Sequence, residues 1–156
     1  MFGNVFAWLQ STSVATAITD SMPLLAGLSA VHLVGFALLM GGALVSSLRM
    51  AGVFFADRPM IDITGGPNRG VAVGLGISVI TGLLLFSTRA SAAAENGVFQ
   101  LKMGLLVAAA AFHFGLHRTV NRRSAVSPGL LRAVGLAGLA LWIGVALAGC
   151  AFIFLE

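Results

Sequence analysis

The chain has 156 residues, 58% of them hydrophobic and only 9% charged, with a formal net charge of +4 and a mean hydropathy of +1.01. Soluble domains are about 25% charged, so a soluble globular protein is excluded. The pI near 11.2 does not signal a nucleic-acid partner, because the basic residues are divided among connectors instead of gathered on one face.

In chain order, Phe2, Val5, Phe6 and Leu9 recur at i, i+3, i+4 and i+7 with Trp8 beside them. That spacing predicts a short helix over about residues 2–18, lying at the membrane surface. It is not a secretory signal, since no Lys or Arg precedes the apolar residues and "QSTS" interrupts them. Four apolar stretches follow. With their flanks they reach the roughly 20 residues that span a bilayer, at about 23–49, 70–90, 98–118 and 129–154. The fold class expected is all-α: an integral membrane four-helix bundle with an N-terminal interfacial helix, forming one domain over 1–156 in contact with the lipid bilayer. Pro23 suits a first helical turn, and Ser127 followed by Pro128 reads as a cap-then-Pro start of the last helix. The segment 56–70, rich in Gly, Pro and charge, reads as a connector.

Arg49, Arg58, Arg69, Arg118, Arg122, Arg123 and Arg132 belong to the first and third connectors, against Arg89 and Lys102 at the second. The positive-inside rule then predicts both termini outside. Small residues recur every four positions at Gly70, Gly74, Ser78 and Gly82 of the second span, and at Ala140, Gly144 and Ala148 of the fourth. Such stripes pack helices closely. They serve either the bundle itself or a homo-oligomer.

The chain has three histidines, His32, His113 and His117, all in the first and third spans. Ionisable residues inside a membrane span are rare and usually functional. Counted from Pro23 and from Lys102, His32 and His113 fall at comparable depth, on helices that face each other across a simple bundle. Two opposed imidazoles suit axial ligation of one haem iron, with Gly35, Ala109 and Ala110 as small neighbours that leave room for the macrocycle. The alternative is plain interhelical hydrogen bonding. His117, one turn further on and next to Arg118, is read as an alternative ligand, as ligand of a second haem, as a contact for propionates or a quinone, or as an interfacial residue without a special role. Asp20, Asp57, Asp62, Glu95 and Glu156 all lie in connectors or at helix ends. No carboxylate is therefore placed mid-membrane for ion coupling, nor can a hydrolytic constellation be assembled there.

"VHLVGFALLMGGALVSSLRMAG" resembles the first-helix signature of a family of small, uncharacterised bacterial four-helix membrane proteins: His32, Gly35, Ala37, Leu48 and Arg49 match, and Ser47 replaces an acid. Asn96, Phe99, Lys102 and His113 match its third-helix pattern N-x-x-F-x-x-K…H, whereas Cys150 stands where an Arg is usual in the last helix. In layout the chain is more distantly similar to four-helix b-type cytochromes and to membrane proteins of copper-resistance operons. The resemblance implies the bacterial inner membrane, with periplasmic termini under the orientation above.

The leading expectation is a b-type haem protein with one haem b, or two, that passes single electrons between the quinone pool and a partner or superoxide. In this reading it is a quinone-linked oxidoreductase in which Lys102 and Arg89 attract propionates or an anionic substrate. The rival is a copper-binding or copper-transporting protein using Met22, Met103, Cys150 and His32, although methionine is also a routine packing residue. The third reading is a structural accessory subunit of a larger membrane complex.

Overall fold

The computed structural model describes residues 2–54, 60–122 and 127–154, with side chains described for 3–54, 65–116 and 127–154. Its helices are α1 (Phe2–Gln10), α2 (Ser13–Thr19), α3 (Met22–Met50), α4 (Met60–Ser87), α5 (Ala90–Glu95), α6 (Gly97–Arg122) and α7 (Pro128–Phe154). Four of them, α3, α4, α6 and α7, are long and apolar enough to cross a membrane. The fold is an all-α four-helix membrane bundle.

Local chemistry sets most of the boundaries. Ser21 caps α3 through its side chain, with Pro in the first turn, and Ser127 Oγ accepts from the Leu130 amide at 3.4 Å ahead of α7. Asn96 Oδ1 accepts from the amides of Val98 and Phe99 at 2.9 and 3.1 Å. It is therefore the N-cap that starts α6. The surface segment expected as one helix is two. Ser11 and Thr12 turn their hydroxyls onto the carbonyls of Trp8 and Leu9, and Thr12 accepts from Ala15 to open α2. Short hydroxylated side chains of this kind compete with the helix backbone.

The connector expected over 56–70 is also partly helical, since α4 begins at Met60 and carries Pro67 within it. Packing overrides the local signals there. A Cβ at Gly42 would strike the Pro67 carbonyl oxygen, so α3 lies directly against this turn.

The tightest seam joins α3 to α4, followed by α6 to α7 and α3 to α7. A Cβ on Gly74 would strike the Leu39 amide nitrogen and lie 2.5 Å from the Gly35 carbonyl oxygen, so only glycine permits this approach of the two backbones. The small stripe of the second span thus packs on α3: Gly70 faces Leu38, Gly74 faces Leu39, Ser78 lies beside Gly35, and Gly82 lies under His32. Those residues are consumed inside the chain and form no outward face. In the fourth span Ala148 is buried, Gly144 meets Leu105, and Ala140 is exposed.

Around this frame Leu39, Ala43, Val71, Ala109, Trp142 and Val145 form the hydrophobic core. Among the described residues, α4 and α6 make no comparable backbone approach. They meet through side chains, by Phe86 stacked on Phe99 at 5.3 Å near one end and by Asn68 bonded to His113 near the other.

Candidate functional site

Two polar sites lie within the apolar bundle. The first centres on His32 of α3. Its Nδ1 is 2.9 Å from Thr81 Oγ1 on α4. Thr81 in turn donates its single hydroxyl proton to the Ile77 carbonyl at 2.6 Å. Having given that proton away, the Thr81 oxygen acts toward His32 as an acceptor. Nδ1 therefore carries the imidazole hydrogen, and Nε2 keeps its lone pair. The ring lies over Gly82, whose added Cβ would be 3.1 Å from Cε1, and it is only partly buried. One turn away, Ser78 Oγ is buried and has no hydrogen-bond partner among the described residues.

Lys102 belongs to this site. It was expected at the membrane boundary, yet α6 begins at Gly97, which puts Lys102 about 7 Å inside the helix. Its stem passes Gly149, and its ammonium stands 5.9 Å from the Phe152 ring centroid. Phe6, Phe86, Phe99 and Phe152 form a connected aromatic series above it, with centroid separations of 6.0, 5.3 and 5.5 Å in that order. Long cationic side chains run outward in this way to reach the interface.

The second site centres on His113, which is 3% exposed. Its Nε2 is 3.2 Å from Asn68 Oδ1, which also accepts from Ser46 Oγ at 3.2 Å. Edge-on contacts to Phe114 and Trp142, at 5.4 and 6.1 Å, hold the ring.

The expectation of equal depth for His32 and His113 does not hold. Their partners Thr81 and Asn68 lie on the same helix and stand about 20 Å apart along it at 1.5 Å per residue. Metal–imidazole bonds near 2 Å put two ligands of one ion about 4 Å apart, so a single iron does not take both. The error lay in counting His113 from Lys102 as a boundary residue, when Lys102 is itself at the level of His32.

The small neighbours are likewise closed by helix packing. A Cβ on Gly35 would lie 2.6 Å from Ile77 Cγ2, and Ala109 is fully buried in the core. Ala110 is partly buried beside it. The side chains of His117 and Arg118 lie outside the described residues. Met22, Met103 and Cys150 are all exposed, and Met22 stands at the start of α3, about 15 Å along the axis from the level of His32. Met22 is therefore not at the level of His32. Among the described residues no three His, Cys, Asp or Glu side chains converge as a metal-binding group.

A family model matches residues 6–155 of the chain. The chain belongs to DUF6644, a family of unknown function. No curated protein and no solved structure matches this DUF6644 member. The family assignment covers both polar sites and all four spanning helices.

Proposed function

We propose that this DUF6644 member is a membrane-embedded b-type haem protein that transfers single electrons, with His32 as the iron ligand and the quinone pool as its partner in the bilayer. The observation that carries this reading is the relay from His32 Nδ1 through Thr81 Oγ1 to the Ile77 carbonyl. Metal-ligating histidines characteristically give their second nitrogen to such a partner, which fixes the tautomer and turns the lone pair to the metal. Among the described residues α4 and α6 are held together by side chains, so a flat apolar ring would enter on this flank without parting two packed backbones. Lys102, at the level of His32, offers an ammonium to the propionates. The haem would supply a reversible one-electron change at iron.

In this reading His113 is a structural residue. Its ring is 3% exposed, held edge-on by Phe114 and Trp142 within the core. The test is a dithionite-reduced minus oxidised absorption spectrum of the detergent-purified protein, with iron analysis on the same sample. A sharp b-type band that is lost in His32→Ala and kept in a folded His113→Ala variant is the expected result. A protein that stays colourless when expressed with haem, or a band that survives His32→Ala, would overturn the proposal.

A further inference from the structure

The fold divides the apolar stripe of the N-terminal helix. Phe6 of α1 packs edge-on against Phe86 of α4, with ring centroids 6.0 Å apart. Leu9 is partly buried, and Gln10 accepts from the Ser91 amide and donates to the Thr88 carbonyl. This face of α1 is therefore turned onto the bundle. Thr88 and Ser91 lie where α4 gives way to α5, and α6 begins shortly after at Gly97. So α1 rests where two spanning helices end, which is the boundary between hydrocarbon and head groups.

The outward flanks of α1 differ from each other. Val5 and Trp8 are three residues apart, hence neighbours on the helix surface, and are 54% and 66% exposed. Asn4 and Ala7, likewise exposed and three apart, are small or polar. One apolar flank and one that tolerates water is the division expected of a helix lying along an interface. The indole of Trp8 has an apolar body and a single N–H, the combination that gathers at head-group level. Met22 and Leu24, in the first turn of α3 at the same end of the bundle, are exposed too and open the outward side of a helix of spanning length. Lipid is thus already the neighbour at this level. Two side chains also fall far short of the roughly 800 Å² a side that a stable protein interface buries.

We infer that the Val5–Trp8 flank of α1 is a lipid-docking surface, seated in the head-group region of the bilayer, with Ala7 turned to water. Residues 2–19 contain no Asp, Glu, Lys or Arg, so apolar burial and not charge draws the helix to lipid. This inference does not depend on the haem reading.

The chain has two tryptophans, and the other, Trp142, belongs to the core. The emission lost in Trp8→Phe therefore reports Trp8. Full-length protein is reconstituted into phosphatidylcholine vesicles brominated either close to the head group or at the chain end, and aqueous iodide is titrated separately. A surface helix seats ~5–10 Å into the head-group boundary, so bromine near the head group should quench Trp8 about twofold more than bromine at the chain end. Iodide should have little effect. In the Trp8→Phe background, Val5→Trp should repeat the bromine pattern, whereas Ala7→Trp should be quenched by iodide. Quenching of Trp8 by iodide alone would overturn the inference by placing the flank in water. Protection from both quenchers would overturn it in favour of a protein on this flank, and stronger quenching from the chain end would put the helix too deep. Identical behaviour of Val5→Trp and Ala7→Trp would equally remove the distinction between flanks on which it stands.

Discussion

Asn68 on α4 and His113 on α6 are tied through one oxygen: Asn68 Oδ1 lies 3.2 Å from His113 Nε2 and takes a second hydrogen bond, also at 3.2 Å, from Ser46 on α3. Three helices thereby converge on a single acceptor. Removing that acceptor leaves an N–H and an O–H in the bundle without it, at about 1–3 kcal/mol. Asn68→Ala should lower the Tm in detergent by several degrees, whereas Asn68→Gln, which keeps an amide oxygen, should lose less. An unchanged Tm in Asn68→Ala would show that the bond contributes nothing to holding α4 against α6.

The α3–α4 seam makes a sharper demand. Because a Cβ at Gly74 meets backbone of α3, whereas one at Gly76 meets nothing within 4 Å, the two glycines should respond in opposite directions. Gly74→Ala should destabilise by about 1–3 kcal/mol or more, as overpacking does. Gly76→Ala should be neutral or gain up to about 1 kcal/mol from helix propensity. Paired thermal melts decide it, and equal responses would argue against this packing of the backbones.

Thr81 provides an independent check on the role of His32. If His32 ligates iron, Thr81→Val removes the group that orients the imidazole while preserving side-chain shape, and should weaken haem retention by about 10–100-fold. Haem content after dialysis against apomyoglobin reads this directly. Retention equal to the unaltered protein would mean that Thr81 serves helix packing alone.

At the other end, Gln10 clamps the N-terminal helices to the bundle. Its Oε1 accepts from the Ser91 amide at 3.1 Å, and its Nε2 reaches the Thr88 carbonyl at 3.5 Å. Gln10→Ala should raise amide exchange across α1 and α2 while leaving α3, α6 and α7 protected. Phe6 against Phe86 is a second contact of α1 with the bundle, so Phe6→Ala should add to the effect. If exchange in α1 is the same in both variants, the surface helices are held by the bilayer and not by these contacts.

Several features were legible because they are written in local chemistry. Apolar runs of spanning length give the four long helices, and Ser21, Asn96 and Ser127 mark starts through their own side-chain bonds. The break at Ser11 and Thr12 carried a signal in its clustered hydroxyls. The start of α4 at Met60 carried none, since Gly65, Gly66 and Pro67 all argue locally against a helix, whereas the structure packs this turn at Pro67 against Gly42 of α3. Lys102 misled for a related reason: a cation in an apolar run reads as a boundary, but a long stem lets its ammonium reach outward from a Cα well inside the helix.

The sequence by itself determined that this is a four-helix membrane protein with three histidines in two of its spans, because burial in hydrocarbon selects residues one at a time. Only the tertiary structure decided that His32 and His113 lie about 20 Å apart along the bundle, that the glycine stripe of α4 faces α3, and that Phe6 packs on Phe86. Those relations depend on the register between helices. Register is set where glycines let backbones touch and where single polar pairs meet, and neither composition nor periodicity within one helix contains it.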